Sequence, residues 1–230
     1  MNRLACAALA LVLAAGCARA ADGDRGGGMR FLALGDSYTI GEAVDPAERW
    51  PVRLAALLRE RGVDVAEPEI VARTGWTTDE LSAAIDAADP RGPYALVSLL
   101  VGVNNQYRGR SAVEYREHFR ALLARAAGFA GGEGGRVLVL SIPDWGVTPF
   151  AAGRDRARIA EEIDAFNRIA REEAERAGAR WVDVTPQSRQ AGADPSLVAV
   201  DGLHPSGESY EEWAWLALPA ALAALGKPAA

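Results

Sequence analysis

What most constrains this chain is a set of short apolar runs that are continuous rather than alternating. From Met29 onward these are "MRFLALG" (29–35), "EIVART" (69–74), "YALVSLLVG" (94–102), "RVLVLSIP" (136–143) and "RWVDVT" (180–185). A strand with one wet face alternates apolar and polar residues, whereas near-continuous runs mark strands buried on both faces. Helical patterns lie between them. "AERWPVRLAALLRERG" (47–62) sets Trp50, Leu54, Leu57 and Leu58 at helical spacing and ends at Gly62. "TTDELSAAIDAAD" (77–89) opens with Thr77 and an acidic first turn, and "SAVEYREHFRALLARAAG" (111–128) and "DRARIAEEIDAFNRIAREEAERAG" (155–178) follow. A mostly apolar helix, "ESYEEWAWLALPAALAALG", closes the chain and is expected to be interrupted at Pro219. Strands separated by helices need parallel crossovers, with helices on the sheet faces. The expected fold is therefore α/β: a three-layer α/β/α sandwich around a five-stranded parallel sheet, in one domain over residues 29–230.

The first residues read differently. Arg3 precedes an apolar run from Leu4 to Ala15 that is too short to span a bilayer and matches the apolar part of a secretory signal. Residues 1–20 are read as a leader with two competing ends. "LAAGC" at Cys17 fits a lipoprotein site, which would attach the chain to a membrane; "ARA" before Ala21 fits ordinary cleavage and release. Either ending exports the chain across the inner membrane, and "ADGDRGGG" (21–28) serves as a flexible tether. Both cysteines, Cys6 and Cys17, fall in the leader, and the only histidines are His118 and His204. That leaves no cysteine or multi-histidine metal site in the domain, and no cofactor is expected. A net charge of −6 argues against nucleic acid as a partner.

In open parallel sheets, ligands bind at the carboxyl ends of the strands. The segments expected there carry Ser37 in "GDS", Gly75 in "RTGWTTDE", Asn104 and Asn105 in "GVNNQYRG", Trp145 in "PDWGVTPF", and Asp201 and His204 in "DGLHPSG". Ser37 is either a nucleophile or a polar residue that closes a strand and caps the next helix. An Asp three residues before a His across a tight turn can hold the ring at Nδ1 and leave Nε2 free to take a proton from serine. Asp201 could equally cap the turn itself. Acyl transfer also needs donors aimed at the oxyanion, which Ser37 N–H, Gly75 N–H and the Asn104 amide could supply. Taken singly, Gly75 and Asn104 are also ordinary turn residues.

The blocks "GDSYTIGE", "RTGWTTDEL", "GVNNQYRG" and "DGLHPSG", spread over residues 30–217, resemble the SGNH subclass of GDSL-type esterases and lipases. The resemblance implies a flavodoxin-like sheet of order 2-1-3-4-5, a Ser-His-Asp triad and three oxyanion donors. Carried onto this chain, it makes Ser37 the nucleophile, His204 the base and Asp201 the orienting acid. Ser37 N–H, Gly75 N–H and the Asn104 side chain become the oxyanion hole. The third block departs from the family's Gly-x-Asn-Asp, because Asn105 stands where Asp is usual. Other serine chemistries fit less well. The second glycine of a G-x-S-x-G elbow is missing, and position 40 is Ile where a Ser-x-x-Lys enzyme needs lysine.

The expected function is a serine esterase acting on a small-molecule or lipid ester, with short-chain acyl esters or lysophospholipids foremost, through an acyl-enzyme on Ser37. A carbohydrate O-acetylesterase is the alternative within the fold. A non-catalytic envelope-binding module is the alternative of another class. Tyr38, Trp76, Asn105, Tyr107 and Trp145 are candidate substrate contacts, and the aromatic ones could instead cover the sheet ends. Arg73 and Arg108 are candidates to meet an anionic group.

Overall fold

The computed structural model describes residues 28–228. The expected leader, and all of the tether but Gly28, lie outside the described residues. In chain order the strands and helices are β1 (Phe31–Gly35), α1 (Ser37–Ile40), α2 (Trp50–Glu60), β2 (Glu69–Ala72), α3 (Thr78–Ala88), β3 (Leu96–Leu100) and α4 (Val103–Tyr107). There follow α5 (Ala112–Phe129), β4 (Val137–Leu140), α6 (Arg156–Arg176), β5 (Arg180–Val182), α7 (Thr185–Ser188) and α8 (Gly207–Ala224). The five strands form one parallel sheet in the order β2-β1-β3-β4-β5, as expected.

The strand order dictates the layers. A right-handed crossover from β1 to β2 runs one way along the sheet, and the three later crossovers run the other way. So α2 falls on one face, where it packs against α8, and α3, α5 and α6 pack together on the opposite face. Burial follows position in the sheet. Every residue of β1, β3 and β4 is buried, whereas the edge strands β2 and β5 are partly exposed. The apolar runs outlast the strands: Ile142 and Val184 are buried although the ladder has ended. Continuous apolarity reports burial on both sides, not the length of pairing.

The helix ends obey local chemistry. Thr77 N–H donates to Glu80 Oε2 at 2.8 Å before α3, and Ser111 Oγ accepts from Glu114 N–H at 3.1 Å at the start of α5. After α2, Gly62 turns the backbone and Val63 N–H closes back onto Leu58 O at 3.0 Å. The closing helix differs from expectation, because α8 runs through Pro219 without a break. Pro219 and Trp215, whose carbonyl the missing N–H would have met, both lie on the exposed side of the helix, where water can take the bond. No helix among the described residues is long and apolar enough to cross a membrane.

Candidate active site

The site begins where β1 ends. Gly35 pairs with Ala72 of β2 on one side and Leu100 of β3 on the other, so three loops leave the sheet side by side. A side chain at Gly35 would press into Thr39 and stand 2.5 Å from Leu100 O, so the turn into α1 needs glycine there. Asp36 follows, fully buried, and caps α1 by accepting from Tyr38 N–H at 3.1 Å. Burial pushes its carboxyl up to about 7, against the pull of the backbone N–H groups of Tyr38, Gly102 and Asp36 itself. Ser37 opens α1, so its own N–H has no partner within the helix.

Ser37, Gly75, Asn104 and His204 line one cavity of about 160 Å³. Gly75 takes a φ of +88°, a conformation that side chains disfavour. Its carbonyl accepts from Arg108 Nη2 at 2.6 Å, while Arg108 Nη1 pairs with Glu80 at 3.2 Å. Arg108 thus holds the Gly75 turn and is spent on it, where the sequence left it available to an anion. The Asn104 amide donates to Trp76 O at 3.0 Å. This fixes its plane and leaves the second N–H for the cavity.

Asp201 and His204 arrive from the far end of the chain. The His204 ring meets Asp201 Oδ2 through Nδ1 at 2.6 Å, and Asp201 Oδ1 accepts from the backbone N–H groups of Leu203 at 2.9 Å and His204 at 3.0 Å. The two roles open for Asp201 are therefore both filled, one by each oxygen. Partial burial alone would raise this carboxyl, yet the hydrogen bonds from His204 and Leu203 outweigh it and hold the group below its ordinary range. The turn is clamped by backbone bonds, Ala199 N–H to His204 O at 2.7 Å, Ser206 N–H to Leu197 O at 3.0 Å and Phe150 N–H to Gly202 O at 2.9 Å. Tyr38 meets the His204 ring edge-on at 5.6 Å, with Trp213 behind it at 6.1 Å. With Nδ1 on the carboxylate, Nε2 is the nitrogen left for proton transfer.

A sequence model of the GDSL-like Lipase/Acylhydrolase family matches residues 33–212, from β1 to α8. The chain belongs to this family. A search of curated proteins finds no match. Among solved structures the chain is similar to TesA, at 21% identity and a TM-score of 0.68, covering 85% of this chain and 99% of that one. It is also similar to the psychrotrophic esterase EstA from Pseudoalteromonas sp., at 15% identity and a TM-score of 0.63, covering 86% and 99%. Axe2, an acetylxylan esterase from Geobacillus stearothermophilus, matches at 19% identity and a TM-score of 0.61, covering 88% and 96%. At such identities these neighbours speak for the fold.

Of the candidate substrate contacts, Tyr38, Tyr107 and Trp145 line the cavity, together with Phe150. Asn105 and Trp76 do not. Asn105 is fully buried and faces α3, with Oδ1 accepting from Thr78 N–H at 3.1 Å and Nδ2 donating to Thr78 Oγ1 at 2.9 Å. It ties α4, which carries Asn104, to the start of α3. An amide suits this place, because it can both accept from the Thr78 N–H and donate to the Thr78 hydroxyl oxygen, which also lies 3.4 Å from His118 Nδ1. Trp76 contributes its carbonyl to Asn104 rather than its ring to the cavity. Sequence reasoning missed the support of Trp145, whose Nε1 donates to Gln106 Oε1 at 2.9 Å, with Gln106 Nε2 donating to Glu162 at 2.7 Å. Gln106 stood in the quoted third block, but its partners lie far off in sequence.

Asn105→Ala leaves Thr78 N–H buried without its acceptor, costing about 1–3 kcal/mol of stability and lowering turnover by loosening Asn104. Asn105→Asp keeps the acceptor and should stay close to the parent, with thermal melts and kcat of both variants as the check. Asp36 ionises near 3.8 when unfolded but holds its proton to about 7 when folded, so its contribution to stability falls as pH rises between those values. Asp36→Asn cannot ionise, so its Tm relative to the parent should climb between pH 4 and pH 7. A Tm difference independent of pH would contradict this.

Proposed function

We infer that the protein is an ester hydrolase that works through an acyl-enzyme on Ser37. One observation carries this reading: a histidine held at Nδ1 by a carboxylate faces the same cavity as a helix-opening serine. Membership of the GDSL-like Lipase/Acylhydrolase family supports it. In the first step Ser37 Oγ attacks the ester carbonyl carbon while its proton passes to His204 Nε2. Asp201 stays ionised, which its lowered pKa favours, and steadies the imidazolium. Ser37 N–H, Gly75 N–H and the free Asn104 N–H receive the charge on the former carbonyl oxygen. His204 then returns the proton to the leaving alcohol, and the C–O bond to it breaks. A water molecule, activated by the same histidine, releases the acid and restores Ser37.

Cavity size speaks to the acyl group. A cavity of about 160 Å³ beside Ser37 has room for a short acyl chain. Short-chain esters are therefore the first reading. A carbohydrate O-acetyl ester is the second, since it presents the smallest acyl group to the same cavity, and the similar fold of Axe2 carries a protein described as an acetylxylan esterase. A binding module without chemistry would have no use for the Asp201–His204 pair. The leader expected over residues 1–20 would place the activity outside the inner membrane, held there by Cys17 if lipidated.

Ser37→Ala should fold as the parent does and lose turnover of 4-nitrophenyl acetate and butyrate. Asn104→Ala should lower kcat by about 10²–10³. Undiminished turnover by the Ser37 variant would overturn the reading.

A further inference from the structure

One wall of the cavity is aromatic and carries a cation. Tyr107 from α4 and Trp145 and Phe150 from the segment after β4 form a triangle. Their ring centroids stand 5.5 Å apart for Tyr107 and Trp145, 6.1 Å for Tyr107 and Phe150, and 5.9 Å for Trp145 and Phe150. The guanidinium carbon of Arg154 lies 5.2 Å from the Tyr107 ring, 5.4 Å from Trp145 and 5.3 Å from Phe150. Its Nη2 donates to Tyr107 OH at 3.1 Å. The platform beneath is rigid, because the Gln106–Glu162 chain pins the buried Trp145 indole.

Three other arginines around the site are occupied, whereas Arg73, beside Thr74, is exposed and makes no ion pair among the described residues. Arg108 is bound to Glu80 and Gly75, Arg158 to Glu162, and Arg189 to Asp144 and Asp164. Arg154 makes no ion pair among the described residues, and most of the five N–H donors of this exposed side chain are unspent over the rings that line the cavity. The neighbouring Asp155 is turned to capping α6 through Arg158 N–H at 3.0 Å. Thr74 and Gly75 also line the cavity, and Glu42 accepts from the Thr74 hydroxyl. What sets Arg154 apart is its seat on the aromatic wall, which no other arginine beside the cavity shares. A guanidinium laid across aromatic rings has lost much of its freedom already, so binding an anion costs little further ordering.

We propose that Arg154 is a specificity residue that selects esters bearing an anionic group, carboxylate or phosphate, on the part that leaves the cavity past Tyr107 and Phe150. This rests on the esterase reading above, and it adds the charge of the substrate. The anion can belong to the acyl part or to the alcohol part, and paired substrates separate the two. The acyl pair is mono-4-nitrophenyl glutarate against 4-nitrophenyl butyrate; the alcohol pair is 1-butyryl-glycerol 3-phosphate against 1-butyryl-glycerol. For each pair the ratio of kcat/KM, anionic over neutral, is measured in the parent, Arg154→Gln and Arg154→Lys. In at least one pair the ratio should fall about tenfold or more in Arg154→Gln, mainly through KM, and be partly restored in Arg154→Lys. The pair that responds tells which part of the ester carries the charge. Ratios that stay constant in both pairs, whether Arg154→Gln slows every ester or none, would overturn the inference while the esterase reading stands. Failure of the parent to hydrolyse any of the four would overturn both.

Discussion

The constraint on which everything else rests is the placement of β1 between two parallel partners. Its last residue, Gly35, is level with Ala72 and Leu100, so the chain must leave the sheet at three adjacent points on one edge. Those exits carry Ser37, Gly75 and Asn104. No long-range loop has to find its way to Ser37, because the ladder delivers all three with strand spacing of about 4.8 Å between neighbours. The cost appears just past the edge, where Asp36 is taken fully out of water to cap α1 and keeps its proton to about neutral pH. Burial of this kind clusters at functional sites and is sustained by the packing around it.

The proposed base is held by a different principle. Asp201 and His204 sit in an irregular segment, and an irregular segment holds geometry only when its backbone is tied down. Here Asp201 uses one oxygen for the turn and the other for the ring, while bonds to Ala199, Leu197 and Phe150 clamp both sides. The same tie to Phe150 brings the aromatic wall up against the base. The proposed catalytic groups and the aromatic wall therefore share one set of supports, and a change in either should be felt by the other.

Much of this was legible in the residues. Continuous apolar runs disclose a sheet covered on both faces, and glycine, serine and histidine at their ends disclose where chemistry gathers. The strand order came from the family resemblance, and the ladder agrees with it. What escaped reading depends on direction. Asn104 and Asn105 are adjacent on a short helix, so they must point to different sides, and nothing local says which one enters the cavity. Pro219 looked like a break because its missing N–H is visible in sequence, whereas the exposed side of α8 that makes the loss tolerable is not. Arg108 and Arg154 look alike as letters; one is consumed by Glu80 and Gly75, and the other, with no ion pair among the described residues, lies over three rings. Such differences arise from pairs distant in sequence.

The central claim is that Ser37 is armed by His204 and Asp201, and its most direct test is covalent. A fluorophosphonate probe reacts with a serine whose proton a base removes and whose phosphoryl oxygen meets oxyanion donors. Peptide mass spectrometry of the labelled protein should find one adduct, on Ser37, with labelling strongly slowed in His204→Ala. An unlabelled protein, or an adduct on another serine with Ser37 unmodified, would contradict the account.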